Sequence, residues 1–306
     1  MNSRAVAVSL FALLATLWGF SFPAITVGLR SLDPVLFAAF RYDIAAVLLV
    51  GLAVLRTTDS LPRRRNDALA VLAGGVFLVA GNAFLFVGQQ TVPAGVAAVM
   101  QSLVPVATAL WAFGILPEER LSATGAAGVL LAFVGVALVV RPDPANLFVG
   151  DTLGKLLVLT QVASVSLGGV LIQRAKPTLD RAALSGWSMA VGGLILHAVS
   201  LAVGEAFAVP SAFDARVAVL YLGVFATAVA FYIYYTLLSV RGALETSLVA
   251  YLVPVVATVA GVFFLGEEAT AFTVAGFALV FVGFLVLKRR SLASLVAGAG
   301  RGAPDG

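Results

Sequence analysis

Residues 103–108 read Leu-Val-Pro-Val-Ala-Thr, and residues 252–258 read Leu-Val-Pro-Val-Val-Ala-Thr. The offset between the two copies is 149 residues and falls to 148 further along the chain. The match continues downstream with Ala127-Gly128 against Ala275-Gly276, and with Phe133-Val134-Gly135 against Phe281-Val282-Gly283. This pattern indicates that the second half of the chain repeats the first.

Both copies lie inside long apolar runs, and such runs occupy almost the whole chain. The composition is 61% hydrophobic and 11% charged, whereas soluble domains carry about 25% charged residues. The excess apolar residues therefore face lipid, and a helix that crosses it needs roughly 20 of them. Ten runs qualify: 6–28, 34–55, 67–88, 92–115, 122–140, 152–172, 182–203, 216–239, 243–265 and 270–287.

Five runs fall in each half of the repeat. Because five is odd, the second half enters the membrane in the opposite sense to the first. The predicted fold is an all-α integral membrane protein of ten transmembrane helices, arranged as two inverted five-helix repeats. The first repeat is predicted to cover residues 1–145, the second 146–290, and a flexible cytoplasmic tail 291–306. Many secondary transporters use inverted repeats to expose a midplane site alternately to each side.

The basic residues give this arrangement an orientation. Fourteen of the nineteen Lys and Arg residues fall on one side of the predicted bundle: Arg4, Arg56, Arg63, Arg64, Arg65, Arg120, Arg174, Lys176, Arg181, Arg241, Lys288, Arg289, Arg290 and Arg301. Positive charge accumulates in cytoplasmic loops, so both termini are predicted to lie in the cytoplasm of a plasma (inner) membrane. The net charge of +4 is thus a topology signal and not a nucleic-acid patch.

Several classes of chemistry lack the residues they need. The chain has no cysteine and one histidine, His197, so disulfides and thiolate metal sites are excluded and no metal or cofactor is expected. We find no nucleotide-binding loop, nucleophile constellation or paired catalytic carboxylates, and therefore predict a protein that is not an enzyme. The first run exceeds the roughly 7–15 apolar residues of a signal peptide, so it is expected to be retained.

The ordered motifs resemble those of the EamA family of the drug/metabolite transporter superfamily, over about residues 5–290. They are Trp18-Gly19, Phe40-Arg41-Tyr42, the Pro-Val elements of runs 4 and 9, the Glu-x-x-Ser/Thr turns that follow, and the paired glycines of runs 5 and 10. The second half departs from the pattern, with Val165-Ser166 and Ser188 where Trp18-Gly19 and Arg41 would recur. The resemblance implies a transporter of small metabolites, often an exporter of amino acids or related compounds.

A polar stripe marks one candidate binding surface. Asn82, Phe86 and Gln89 are spaced by four and three residues and share one face of run 3. An unpaired buried amide costs roughly 2–7 kcal/mol, so this face is predicted to meet protein or water and not lipid. It either lines the substrate path or hydrogen-bonds other helices. Gln101 in run 4 is counted with it.

Aromatic residues form a second candidate surface. Tyr232 and Tyr235 in run 8 and Tyr251 in run 9 are interpreted as cavity-lining groups that stack and hydrogen-bond an amphipathic substrate. The alternative is an interfacial aromatic belt. Trp18 joins them on the family resemblance.

The remaining candidates concern movement and charge. Pro105 and Pro254 are predicted to be paired hinges, since each removes a helical hydrogen bond. Asp43 is a possible proton-coupling carboxylate, whereas Arg41 is interpreted as an architectural residue that snorkels to the external end of run 2. His197 is interpreted as a packing residue, and Glu119 and Glu267 as structural residues of cytoplasmic turns.

The predicted function is alternating-access transport, most simply the export of neutral or amphipathic amino acids. Proton-coupled efflux of hydrophobic cations is the rival, and a passive channel is a third possibility. The partners expected are the small-molecule solute and membrane lipid, with the protein a monomer or homodimer.

Overall fold

The protein is described by a computed structural model that covers residues 3–116, 122–141, 150–234, 236–237, 246 and 249–289. Across those residues the chain is helical, and no strand occurs. The helical segments are α1 (Val6–Gly28), α2 (Pro34–Arg56), α3 (Arg65–Gly88), α4 (Ala94–Ile115), α5 (Ala123–Val140), α6 (Asp151–Ala175), α7 (Arg181–Ala202), α8 (Phe213–Tyr234), α9 (Val249–Leu265) and α10 (Ala271–Leu287).

The first eight segments are long and apolar enough to cross a membrane. The last two are shorter, 17 residues for α10, yet remain apolar throughout. Large apolar side chains cover much of the outer surface; Leu55, for example, is 87% exposed and Phe263 is 80% exposed. A continuous apolar exterior of this kind suits lipid and not water, so the fold is that of a multi-pass membrane protein.

Several segments are interrupted, and proline accounts for two of the breaks. In α1 the first helix ends at Gly19 and a second runs from Ser21 to Gly28, while α4 divides into Ala94–Gln101 and Val104–Ile115. Pro23 and Pro105 each stand four residues after the last residue of the earlier helix, where a proline ring clashes with the carbonyl of that residue. An interruption of α4 at Pro105 was anticipated from the proline, whereas the break in α1 was not predicted.

Two other segments change their helical pitch. In α3, a π-helical stretch Gly74–Val79 leads into a 3-10 turn Ala80–Asn82, and α8 is π-helical over Tyr221–Val229. Such stretches recur at functional sites. They also rotate the residues that follow around the helix axis, away from the faces that a regular period of 3.6 residues would give them.

The closest helix pairing joins α5 to α10. A Cβ added at Gly128 would lie 2.5 Å from the carbonyl oxygen of Gly283, and one at Gly135 would lie 2.6 Å from that of Gly276. The two backbones are thus in direct contact, as small residues permit between helices in lipid. Helices α7 and α2 also approach closely at Gly186, where a Cβ would lie 2.8 Å from the Val50 amide nitrogen.

Candidate functional site

A chain of hydrogen-bonded polar side chains crosses the centre of the bundle. Asn82 on α3 donates from Nδ2 to the Tyr42 hydroxyl on α2, 2.5 Å away. Gln161 on α6 donates from Nε2 to Asn82 Oδ1 at 3.0 Å, and its Oε1 accepts from Gln101 Nε2 on α4 at 2.6 Å. Tyr42, Asn82 and Gln161 are buried and Gln101 is half-buried. We call these four residues the amide network.

The sequence predicted half of the amide network. Asn82 and Gln101 were both predicted, and the stripe with Phe86 and Gln89 does face protein, since all three are buried. Tyr42 and Gln161 were missed. The signal for Gln161 was an isolated amide in an apolar run, which in lipid requires a partner; Tyr42 was treated only as part of the Phe-Arg-Tyr motif.

A cavity of about 310 Å³ lies beside the amide network. Its wall includes Tyr42, Leu78, Ile172, Ser188 and Phe231, and it reaches Pro177 in the turn between α6 and α7. The charge distribution predicts that this end is cytoplasmic. Ligand pockets span about 300–1,000 Å³, so the cavity is large enough for one small organic molecule.

Phe231, which lines the cavity, belongs to a group of three aromatic rings. The ring of Trp18 contacts those of Phe231 (centroids 6.2 Å apart) and Tyr234 (5.6 Å), and Phe231 lines the cavity itself. We call these three residues the aromatic wall. Trp18 was predicted, whereas Phe231 and Tyr234 were missed because Tyr232 and Tyr235, on a neighbouring face of run 8, were chosen in their place.

Tyr232, in contrast, points outward. It is 48% exposed, and the guanidinium of Arg56 lies 5.3 Å from its ring. An amphipathic ring beside an arginine at the helix end is the arrangement of an interfacial belt. The prediction that Tyr232 lines the cavity is therefore wrong. Tyr235 lies outside the described residues.

Three other predicted residues are buried away from the cavity. Phe86 packs edge-on against Phe37, with centroids 5.1 Å apart. Gln89 donates from Nε2 to the Phe22 carbonyl at 3.2 Å, and its Oε1 has no partner within the described chain. Tyr251 lies between α9 and α10 against Phe284, 4.8 Å between centroids. None of the three is among the residues that line the cavity.

The two intramembrane charged residues of α2 have different surroundings. Arg41 is only 7% exposed and donates from Nε to Thr227 Oγ1 at 2.9 Å, so it does not snorkel as the sequence interpretation held. Asp43 is bonded to His197, with 2.8 Å between Oδ2 and Nε2. His197 therefore does more than pack, since it bonds the Asp43 carboxylate.

The Asp43–His197 pair lies at the periphery of the bundle. The Asp43 side chain is 44% exposed, and Val47, one turn further along α2, is among the exposed apolar residues. Phe207, from the connection between α7 and α8, covers the His197 ring at 6.1 Å. Neither Asp43 nor His197 lines the cavity, which separates this pair from the amide network.

At the end of the bundle opposite the α6–α7 turn, two carboxylates cap the starts of helices. Glu205 accepts from the backbone N–H groups of Val35 (3.0 Å) and Leu36 (2.8 Å) at the start of α2. Glu267 accepts from those of Ala94 (2.7 Å) and Gly95 (3.1 Å) at the start of α4. In the predicted orientation this end is external, so the prediction of a cytoplasmic turn for Glu267 is wrong. Glu119 lies outside the described residues.

The two predicted hinge prolines have different local structures. Pro105 is the second residue of the helix Val104–Ile115, after a break, whereas Pro254 lies inside the continuous helix Val249–Ala260. The matching sequences therefore do not produce matching kinks. A hinge role stays a prediction at both positions.

Apolar helices with an apolar exterior and a cavity between them define a class: a multi-pass membrane protein. The comparison with known families is specific. The EamA-like transporter family matches residues 5–141 and, again, residues 152–289. The chain therefore belongs to the EamA-like transporter family.

Its relatives are transporters by name. The "Uncharacterized inner membrane transporter YedA" of Escherichia coli K12 is 32% identical, over 85% of this chain and 82% of its own length. An "Uncharacterized transporter" of Archaeoglobus fulgidus is 28% identical over 91% and 97%. A solved structure titled "Crystal structure of protein" has a TM-score of 0.65 at 21% identity, covering 94% of this chain and 99% of its own. That structure supports the fold.

Proposed function

We propose that this transporter is an alternating-access carrier of ten transmembrane helices in two inverted halves, residues 1–145 and 146–290. The family matches the chain twice, once in each half. Gly128 pairs with Gly283 and Gly135 with Gly276, which is the pairing a two-fold axis would produce, since Gly276 and Gly283 are the repeat equivalents of Gly128 and Gly135. Segments of 17 residues also reach the lower limit, about 17 residues, for a spanning helix.

The proposed cargo is a neutral or amphipathic amino acid, moved outward. The observation that carries this proposal is one cavity whose lining includes Tyr42, a member of the amide network, and Phe231, a member of the aromatic wall. The rings of Tyr42 and Phe231 suit an apolar side chain, and the hydroxyls of Tyr42 and Ser188 suit the polar groups of the backbone moiety. The cavity reaches Pro177 in the α6–α7 turn, at the end predicted to be cytoplasmic, so loading from the cytoplasm is favoured.

Counterflow in proteoliposomes tests the carrier mechanism. Vesicles loaded with unlabelled L-phenylalanine are expected to accumulate labelled L-phenylalanine transiently from the medium, with saturation at high concentration. A channel would instead show conductance in planar bilayers without counterflow. Absence of counterflow across a broad panel of neutral amino acids would contradict the proposed cargo.

Adjacent residues of α8 provide a matched pair of variants. Phe231→Ala is expected to reduce counterflow by about tenfold, because removing an aromatic ring from the cavity wall loses roughly 1.5 kcal/mol of apolar contact. Tyr232→Ala is expected to leave counterflow unchanged, since that ring lies on the outer surface. Initial counterflow rates, normalised to reconstituted protein, provide the comparison. Equal losses in the two variants would contradict the assignment of the aromatic wall.

Efflux of hydrophobic cations is the second candidate, and Asp43 is its natural coupling residue. Its carboxylate is bonded to His197 at the periphery, whereas a positive charge, Arg41, lies inside the bundle. Both observations favour amino acids over cations. Asp43→Asn is therefore expected to leave phenylalanine counterflow within about twofold of wild type. A complete loss of proton-driven efflux of an ethidium-like cation in the same variant would favour the rival function.

A further inference from the structure

The geometry points to Arg41 as the receptor for a carboxylate group on the transported molecule. This inference rests on the proposed function and deepens it, because it restricts the cargo to solutes that carry a carboxylate. The evidence is the combination of burial, a donor edge without a protein partner and the absence of a protein counter-ion across the described residues.

Arg41 is buried in the membrane-spanning part of α2. It is the eighth of 23 residues in that helix and is only 7% exposed. A charged side chain inside a transmembrane bundle is costly and marks a functional site by default. Its long side chain could reach the helix end, yet it stays inside, where its guanidinium lies 5.2 Å from the centre of the Tyr42 ring and 6.0 Å from that of Phe86.

The guanidinium is held in place through one edge only. Nε donates to Thr227 Oγ1, and the hydroxyl of Thr227 donates in turn to the Leu222 carbonyl at 2.7 Å, so the threonine oxygen is oriented to accept. Within the described part of the chain this is the guanidinium's sole hydrogen bond. The terminal nitrogens keep their N–H donors, which have the fork geometry that binds a carboxylate through two parallel hydrogen bonds.

No carboxylate of the described chain neutralises Arg41. Among the described residues, Asp43 is the one acidic residue well inside a segment, and it lies about 200° around α2 and is bonded to His197. Asp67 accepts from the backbone N–H of Thr178 at 2.7 Å, and Glu205 and Glu267 cap the starts of α2 and α4. The other described acidic residues lie in turns or at helix ends: Asp33, Asp59, Asp151, Asp180, Asp214 and Glu268. Among the described residues, the Arg41 guanidinium therefore has no carboxylate partner.

Tyr42 connects Arg41 to the cavity. Arg41 is not a lining residue, but the ring beside its guanidinium is, and the hydroxyl of that ring belongs to the amide network. A carboxylate that enters from the cavity reaches the terminal nitrogens when the Tyr42 ring moves aside. Binding would then disturb the Tyr42–Asn82 hydrogen bond, which links recognition of the charge to the helices that move.

Matched ligands test the inference on detergent-solubilised protein. L-Phenylalanine and 3-phenylpropionate carry the carboxylate, whereas L-phenylalaninamide retains the ring and the amine without it. The two acids are expected to raise the melting temperature of the wild-type protein, and the amide to have little effect. In Arg41→Gln the affinity for the acids is expected to fall roughly 10- to 100-fold, the usual effect of losing a charged hydrogen-bond pair.

Two further variants control for loss of structure. Arg56→Gln removes the exposed arginine at the end of the same helix and is expected to bind both acids normally. Arg41→Lys keeps the charge without the fork and is expected to be intermediate. Equal stabilisation by acid and amide in the wild-type protein, or unchanged acid affinity in Arg41→Gln, would overturn the inference whatever the transport result.

The proposed amino-acid cargo and the proposed carboxylate site at Arg41 can each be rejected while the other is retained. Arg41-dependent binding of 3-phenylpropionate without amino-acid counterflow would retain the carboxylate site and reject the proposed cargo. Counterflow of phenylalanine that is equal in wild type and Arg41→Gln would retain the carrier and reject the site.

Discussion

Gln161→Leu is expected to destabilise the protein by about 1–3 kcal/mol and to abolish most of its transport. Gln161 is the central residue of the amide network: it accepts from Gln101 and donates to Asn82. Leucine has a similar size but neither polar group, so the Gln101 amide and the Asn82 carbonyl oxygen both lose their partner. Each is poorly placed to find water, since Asn82 is buried and Gln101 half-buried.

The measurements are the melting temperature in detergent and the rate of phenylalanine counterflow. Thr160→Ala is the matched control, because Thr160 is the neighbouring residue, bonds only to the Leu156 carbonyl of its own helix in the described structure, and is exposed. Asn82→Leu should be non-additive with Gln161→Leu, as residues of one network are. Additive losses, or a Gln161→Leu protein that transports normally, would show that the amide network does not act as a unit.

The sequence predicts the features that follow from local polarity, namely where a helix crosses the bilayer and which of its faces avoids lipid. Run 34–55 is found as Pro34–Arg56 and run 182–203 as Arg181–Ala202, because length and polarity alone fix where a chain can enter lipid. The buried stripe of Asn82, Phe86 and Gln89 follows for the same reason. Exposing an amide side chain to lipid would cost too much free energy. The sequence alone therefore predicts that the amide faces the bundle, although not which residue it bonds.

The features that were missed depend on contacts between distant segments or on a change of helical pitch. Asp43 and His197 are 154 residues apart, and no local pattern links them. A π-helical stretch precedes Phe231 and Tyr232 in α8, so the faces they occupy do not follow from a 3.6-residue period; Phe231 lines the cavity and Tyr232 is 48% exposed. Repeated sequence also did not ensure repeated conformation. Pro105 begins a helix and Pro254 sits inside one, because surrounding contacts decide whether a broken hydrogen bond ends the helix.

Replacing any glycine of the α5–α10 contact with a larger residue is expected to have the largest effect on folding. A Cβ at Gly135 would lie 2.6 Å from the Gly276 carbonyl oxygen and 2.8 Å from the Val280 amide nitrogen. These are backbone atoms that cannot rotate away, so the helices must separate. Overpacking of a core costs about 1–3 kcal/mol for small changes. Gly135→Leu is therefore expected to prevent accumulation of folded protein, and Gly135→Ala to lower its melting temperature.

Equal sensitivity at all four positions would support the two-fold arrangement of the halves. A methyl group added at Gly128, Gly135, Gly276 or Gly283 would meet backbone atoms of the facing helix, so the four alanine variants are expected to be similarly destabilised. Gly51→Ala in α2 is the matched control, because a Cβ there meets nothing within 4 Å. Fluorescence-detected size-exclusion chromatography and melting temperatures distinguish these outcomes. Tolerance in one half together with collapse in the other would argue against a symmetric contact, since a two-fold axis makes the paired positions equivalent.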